Sequence, residues 1–156
     1  MAFTESRIFR QTIADVLGNT TAMDLDSDTL KVALYGNSIT PDRDATAANT
    51  AYNAGQWLAA NELSSSGQWA VGGVALSSKS LSTPSTGVVM FDAADTSSGS
   101  SATLTNVYGV MVYDDTLTTP VADQGVCYNY LGGANNVTSG TFTVIWNANG
   151  VFRITV

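Results

Sequence analysis

The chain is expected to be mainly β: a single β-sandwich or barrel-like domain led by an N-terminal α-helix. Three observations point there. After residue 29, apolar residues alternate in short runs with the two-residue period of strands. Clusters of Gly, Asn and Ser that suit turns separate these runs. Residues 3–17 instead space their apolar side chains as a helix does. A length of 156 residues favours one domain, and a domain of this size buries roughly 68–70% of its unfolded surface without staples. The reading divides the chain into a helical arm, residues 1–18, and a β-sandwich domain, residues 19–156.

The helix is expected in "FTESRIFRQTIADVLGN", where Ile8, Phe9, Ile13, Val16 and Leu17 form one stripe. Thr4 can cap its start, Phe3 and Ile8 stand at the hydrophobic-staple positions, and Gly18 suits its stop. The stripe must bury against the domain's own sheet or against a neighbouring subunit. Arg7 and Arg10 place two of the chain's six cations on this element. The strand pattern after residue 29 looks sufficient to close a sandwich without it. The helix is therefore expected at a subunit boundary, with Arg7, Ile8, Arg10 and Val16 as contact residues.

In "MDLDSDTLKVALYG", Asp24, Asp26 and Asp28 recur at every second position. A calcium loop of the EF-hand kind starting at Asp24 would need Gly at its sixth position and Glu at its twelfth. Thr29 and Tyr35 stand there, so the triplet reads as a turn in which carboxylates accept backbone N–H groups. "TLKVALY" then alternates as a half-buried strand. Residues 37–63 read as a loop with one short helix near 47–52, held to the body by Tyr52 and Trp57. "WAVGGVALSSKSLS" is expected to be one strand, with Gly72 and Gly73 marking a bulge or a close backbone approach. "GVVMFDA" is another. "TLTNVYGVMVYDD" is apolar on both faces in its second half and should lie centrally in a sheet. "GVCYNYL" follows. "GTFTVIWNANGVFRITV" is expected to be a hairpin turning at Asn149–Gly150, with Phe142, Val144 and Trp146 on one face and Arg153 pointing outward.

The chemistry these residues permit is narrow. Histidine is absent and Cys127 is the single cysteine. That removes Ser-His-Asp and Cys-His catalysis, histidine zinc sites, cysteine-cluster metal sites and an internal disulfide. Cys127, inside an apolar run, reads as a buried free thiol. No phosphate-binding glycine loop is present. Asp92, Asp95, Asp114 and Asp115 fall at strand ends, where solvated turn residues are the default. No catalytic residue, metal ligand or cofactor is expected. A net charge of −7 argues against a nucleic-acid backbone as partner. No apolar run reaches the roughly 20 residues of a membrane helix, and no signal peptide is visible. Trp69 and Trp146 fall with core residues. Trp57 is the candidate for an exposed aromatic on which a sugar ring could stack.

The segments "TLKVALYGNSITPD", "WAVGGVALSSKSL", "GVVMFDAADTSSGSSATLTNVYGVMVYDD" and "GTFTVIWNANGVFRIT", in this order, resemble a family of small virion structural proteins of tailed bacteriophages, especially those of actinobacteria. The resemblance implies a structural rather than an enzymatic role and brings no catalytic residues with it. It implies a capsid decoration protein that binds and stabilises the assembled head in the virion, after assembly in the host cytoplasm. The major capsid protein is the expected partner and a homo-oligomer the expected state, a trimer first. A minor tail or tail-tip component with a glycan-binding face, drawing on Trp57 and "YNYLGGANN", is the alternative.

Overall fold

The computed structural model describes residues 3–156, and the chain is mainly β with several antiparallel sheets and one N-terminal helix. In chain order the elements begin with β1 (Arg7–Ile8), α1 (Arg10–Leu17), β2 (Leu30–Tyr35), α2 (Ala47–Thr50), β3 (Glu62–Leu63) and β4 (Val74–Ala75). There follow β5 (Ser80–Ser85), β6 (Val88–Asp92), β7 (Thr96–Ser97), β8 (Ala102–Asp114), β9 (Gly125–Gly140), β10 (Thr143–Val144) and β11 (Phe152–Thr155). The main sheet runs β1-β9-β8-β2-β3, with β4 also paired to β2. Two small sheets, β11-β6-β5 and β10-β7, complete the set. Among the described residues no helix is long and apolar enough to cross a membrane.

The centre of the main sheet, where β2 meets the second half of β8 and the start of β9, is buried on both faces, and its register shows why. Val32 lies beside Val112, which lies beside Cys127, on one face. Ala33, Met111 and Tyr128 form the adjacent row on the other. The first face packs on Trp69, from the β3–β4 connection, and on Leu76, Phe91, Phe142, Val144 and Val151, from the small sheets and the segments leading to them. The second is covered by Phe3, Phe9, Ile39 and Trp57. β2 is therefore not half-buried, as its alternation suggested, but enclosed on both sides. β8 takes the central place its doubly apolar pattern predicts.

The N-terminal segment differs from the expected arm. Its helix is only α1, eight residues long. Ile8 belongs to β1, an edge strand paired to β9. Phe9 precedes the helix with extended backbone and is fully buried. Val16 and Leu17 are exposed. The helical spacing of the stripe is thus shared between a strand, a buried anchor and an exposed helix face. Two glycines make room for the anchors: a methyl at Gly109 would overlap the Phe3 ring, and one at Gly125 would meet Phe9 and the Thr50 carbonyl. The Thr12 hydroxyl donates to the Gly125 carbonyl. Phe3 and Phe9 pack in one cluster with Ala33, Tyr35, Trp57, Met111 and Tyr128. An arm was expected because the strands looked self-sufficient, whereas one face of the main sheet depends on these aromatic rings.

Two further expectations are corrected. "WAVGGVALSSKSLS" is two strands in different sheets, β4 and β5, because Ser78 adopts a left-handed φ of 51° and turns the chain. Gly73 does make the close approach expected of it, lying against the Val32 backbone where no Cβ fits. The C-terminal segment is not a hairpin. A tight turn forms over Asn147–Gly150, with the Gly150 N–H donating to the Asn147 carbonyl at 2.7 Å. Its two arms then diverge, β10 pairing with β7 and β11 with β6. Asp95 draws the first arm away by accepting the Trp146 N–H at 3.0 Å.

Candidate functional site

The junction of β1 and α1 places Arg7 and Arg10 on one side of a cleft of about 830 Å³. The loop before α2 brings Arg43, tied in by the Arg10 N–H donating to the Arg43 carbonyl at 2.9 Å. Across the cleft β11 supplies Arg153. Four of the chain's six cations therefore line one cleft, together with a single carboxylate, Asp44, from a total of thirteen. Arg10 and Arg43 approach Asp44 at 3.5 and 3.7 Å, and Arg7 pairs with Glu5 at 2.6 Å. Arg153 donates to the Asn149 amide oxygen at 2.8 Å. All four side chains are exposed. Each guanidinium has five donors, so these contacts leave donors free to point into the cleft.

Ile8, Ile13, Phe152 and Ile154 line this cleft and also an adjoining apolar groove of about 360 Å³. The groove runs between α1 and the small sheet and is closed by Val16, Leu17, Met23, Leu25 and Leu81. Val16, Leu17 and Leu81 are exposed along it. The expected contact residues thus come together: Arg7, Ile8 and Arg10 in the cleft, Val16 in the groove beside it. Arg43 and Arg153 are additions. Arg153 lies 146 positions from Arg7, and only the placement of β11 reveals their proximity.

Trp57 is not a surface aromatic, which corrects the expectation for this residue. It is 2% exposed and enclosed by Phe3, Phe9, Tyr35 and Tyr128 at centroid distances of 5.1–6.0 Å. The Tyr35 hydroxyl donates to its carbonyl at 2.7 Å. A bulky ring in an Ala/Asn-rich loop is what fastens that loop to the sheet. The glycan-stacking role drawn from it loses its aromatic platform.

The acidic triplet, of which Asp24 lines the apolar groove, serves the backbone. Asp24 accepts the N–H groups of Asp26 and Ser27, Asp28 accepts that of Asp24, and Asp26 accepts that of Leu81. These bonds make the triplet a turn that also fastens β5. Hydrogen bonds from Ser27 and Asp26 hold the Asp24 carboxyl below its ordinary value.

Asp114 is not the solvated turn residue expected at a strand end. It is fully buried, with one oxygen accepting the Thr116 N–H at 2.9 Å. Burial, and then the Asp28 carboxyl opposite, push it up to about 7, because the facing oxygens can bond only when a proton lies between them. Burial likewise raises Glu62, which accepts the Tyr52 hydroxyl at 2.7 Å and the Gly72 N–H at 2.9 Å.

A carboxyl whose pKa is higher folded than unfolded holds more protons in the native state between the two values. Stability then falls as pH rises across that interval. We expect stability in urea to decline from about pH 4, near the unfolded Asp value, to about pH 7. Asp114→Asn should flatten much of this slope. A stability that rises over the same range in the wild type would contradict the assignment.

Cys127 is buried as expected, and burial pushes its thiol up, away from the reactive thiolate. A thiol reagent should label it slowly in the folded protein and at the rate of a free thiol in denaturant. Rapid native labelling would contradict its place in the core.

Compared with known proteins, the chain matches no protein-family model, no curated protein and no solved structure.

Proposed function

We propose that the protein is a structural component of a tailed-phage virion, a decoration protein that binds the outside of the assembled head and stabilises it. The observation that supports the reading is a cationic cleft continuous with an exposed apolar groove, on an otherwise strongly acidic body. Charge of this kind steers a partner and sets orientation, while the apolar strip contributes burial. The sequence resemblance to virion structural proteins supplies the class of partner, the major capsid protein. A protein that binds the assembled lattice and not its free subunits stabilises the lattice by mass action. Lattice sites related by local symmetry favour a closed homo-oligomer, for which a trimer is the proposed state.

Mass spectrometry of purified virions tests this. The expected result is a copy number comparable with that of the major capsid protein. A handful of copies per particle would instead assign the chain to the tail or tail tip, and absence from the particle would overturn the virion role.

A further inference from the structure

The cleft has a second property besides its charge. Consecutive residues of β1 (Arg7 and Ile8) and of β11 (Phe152, Arg153 and Ile154) line it. Neighbouring residues of a strand point to opposite faces, so what both strands turn to the cleft is an edge. Each is the terminal strand of its sheet among the described residues, paired on one side only, β1 to β9 and β11 to β6. Unpaired strand edges are templates for another strand. The outer edge of the same small sheet, β5, carries Pro84, a residue that blunts an edge; β11 carries none.

We propose that the cleft binds an extended acidic segment of a partner polypeptide, which adds as a strand to the free edge of β11. Main-chain hydrogen bonds to Phe152–Thr155 would hold the segment, and its alternate side chains would meet two different environments. One set faces Arg7, Arg10 and Arg153, which suits carboxylates. The other faces Ile8, Ile13 and Ile154, which suits β-branched aliphatic residues. A nucleic-acid strand would satisfy the arginines and leave both the open edge and the isoleucines unused. The inference rests on the docking role proposed above only for the partner's identity as a lattice protein. The binding itself is tested without virions.

The probe is a labelled, end-blocked octapeptide of alternating valine and aspartate, followed by fluorescence anisotropy with the full chain. We expect it to bind at least tenfold more tightly than three controls: the valine–lysine equivalent, a blocked peptide of the same composition (four valines then four aspartates), and a dT oligonucleotide of eight residues. N-methylation of alternate peptide bonds should weaken binding at least tenfold, as should the double substitution Arg7→Glu with Arg153→Glu. Both arginines are exposed, and unchanged thermal melting would show that the variant is folded. A variant that melts lower would be replaced by Arg7→Gln with Arg153→Gln, for which the same loss is expected. Equal binding of the lysine peptide or the oligonucleotide would overturn the proposal, as would indifference to N-methylation. Self-association abolished by the same double substitution would assign the cleft to a second copy of the chain and overturn it too. Peptide binding by a chain absent from virions would leave this inference standing and remove the virion role.

Discussion

Phe9→Ala is expected to lower the unfolding free energy by about 3–5 kcal/mol, read from urea denaturation. Phe9 is fully buried, tilted against Tyr128 at 5.5 Å and edge-on to Trp57 at 5.7 Å. Its ring fills a hollow that exists because residue 125 is glycine. Alanine would leave a cavity bounded by the backbone of the main sheet and the α2 loop, neither of which can move in to close it. Leu17→Ala is the control from the same apolar stripe. Leu17 is 82% exposed, and surface substitutions of this kind usually fall within about 0.5 kcal/mol of neutral. The contrast separates two accounts of the N-terminus. On a detachable arm both substitutions would be mild. In an integral segment one is severe and the other silent. By the same argument, deletion of residues 1–18 removes Phe3 and Phe9 together from a domain whose total stability is on the order of 5–15 kcal/mol. It should leave a largely unfolded chain rather than a folded monomer.

Trp57→Ala is expected to have an effect of the same size, about 3–5 kcal/mol. The indole is the hub of the aromatic cluster, edge-on to Phe3, Phe9 and Tyr35 and tilted on Tyr128. Losing it removes the anchor of residues 51–58 as well as core volume. Phe9 and Trp57 touch, so their losses should not add. The double variant should be less destabilised than the sum by about 0.5–1.5 kcal/mol, the range for an aromatic pair beyond its area burial. A Trp57→Ala protein of wild-type stability would return this residue to the surface and reopen a ligand-stacking role.

Strands whose neighbours lie close in sequence, or whose pattern is strong on its own, were legible. Leu30–Tyr35, Val88–Asp92 and the doubly apolar Ala102–Asp114 stand where alternation and turn residues place them. Pairing partners were not legible. Phe142 to Val156 carries every local mark of a hairpin, yet Asp95 and β7 capture one arm and β6 the other. Local pattern specifies which residues are apolar, and the partner with the best complementary face is chosen over distances it does not encode. The N-terminal stripe failed for a related reason. Ile8 and Phe9 satisfy helical spacing, but an extended chain passing over Gly109 and Gly125 buries the Phe3 and Phe9 rings more completely than a helix lying on the sheet. The burial of Asp114 is not legible because a carboxylate at a strand end is ordinarily solvated, and only the tertiary fold places Asp28 opposite it. Of the candidate site, the half contributed by Arg7, Ile8 and Arg10 is contiguous in sequence. Arg43 and Arg153 join it only through the loop before α2 and the path of β11.

The proposed function has the arginine-lined cleft seat the chain on an assembled head. Its most direct test is cosedimentation of the purified protein with phage heads that lack it, comparing the wild type with the folded Arg7→Glu, Arg153→Glu variant. The account predicts that the wild type pellets with heads and saturates at a level proportional to the number of capsid subunits. The variant should need at least tenfold more protein to reach half that level, and binding of the wild type should weaken as salt is raised. Equal saturation by the two proteins, or binding indifferent to salt, would contradict it.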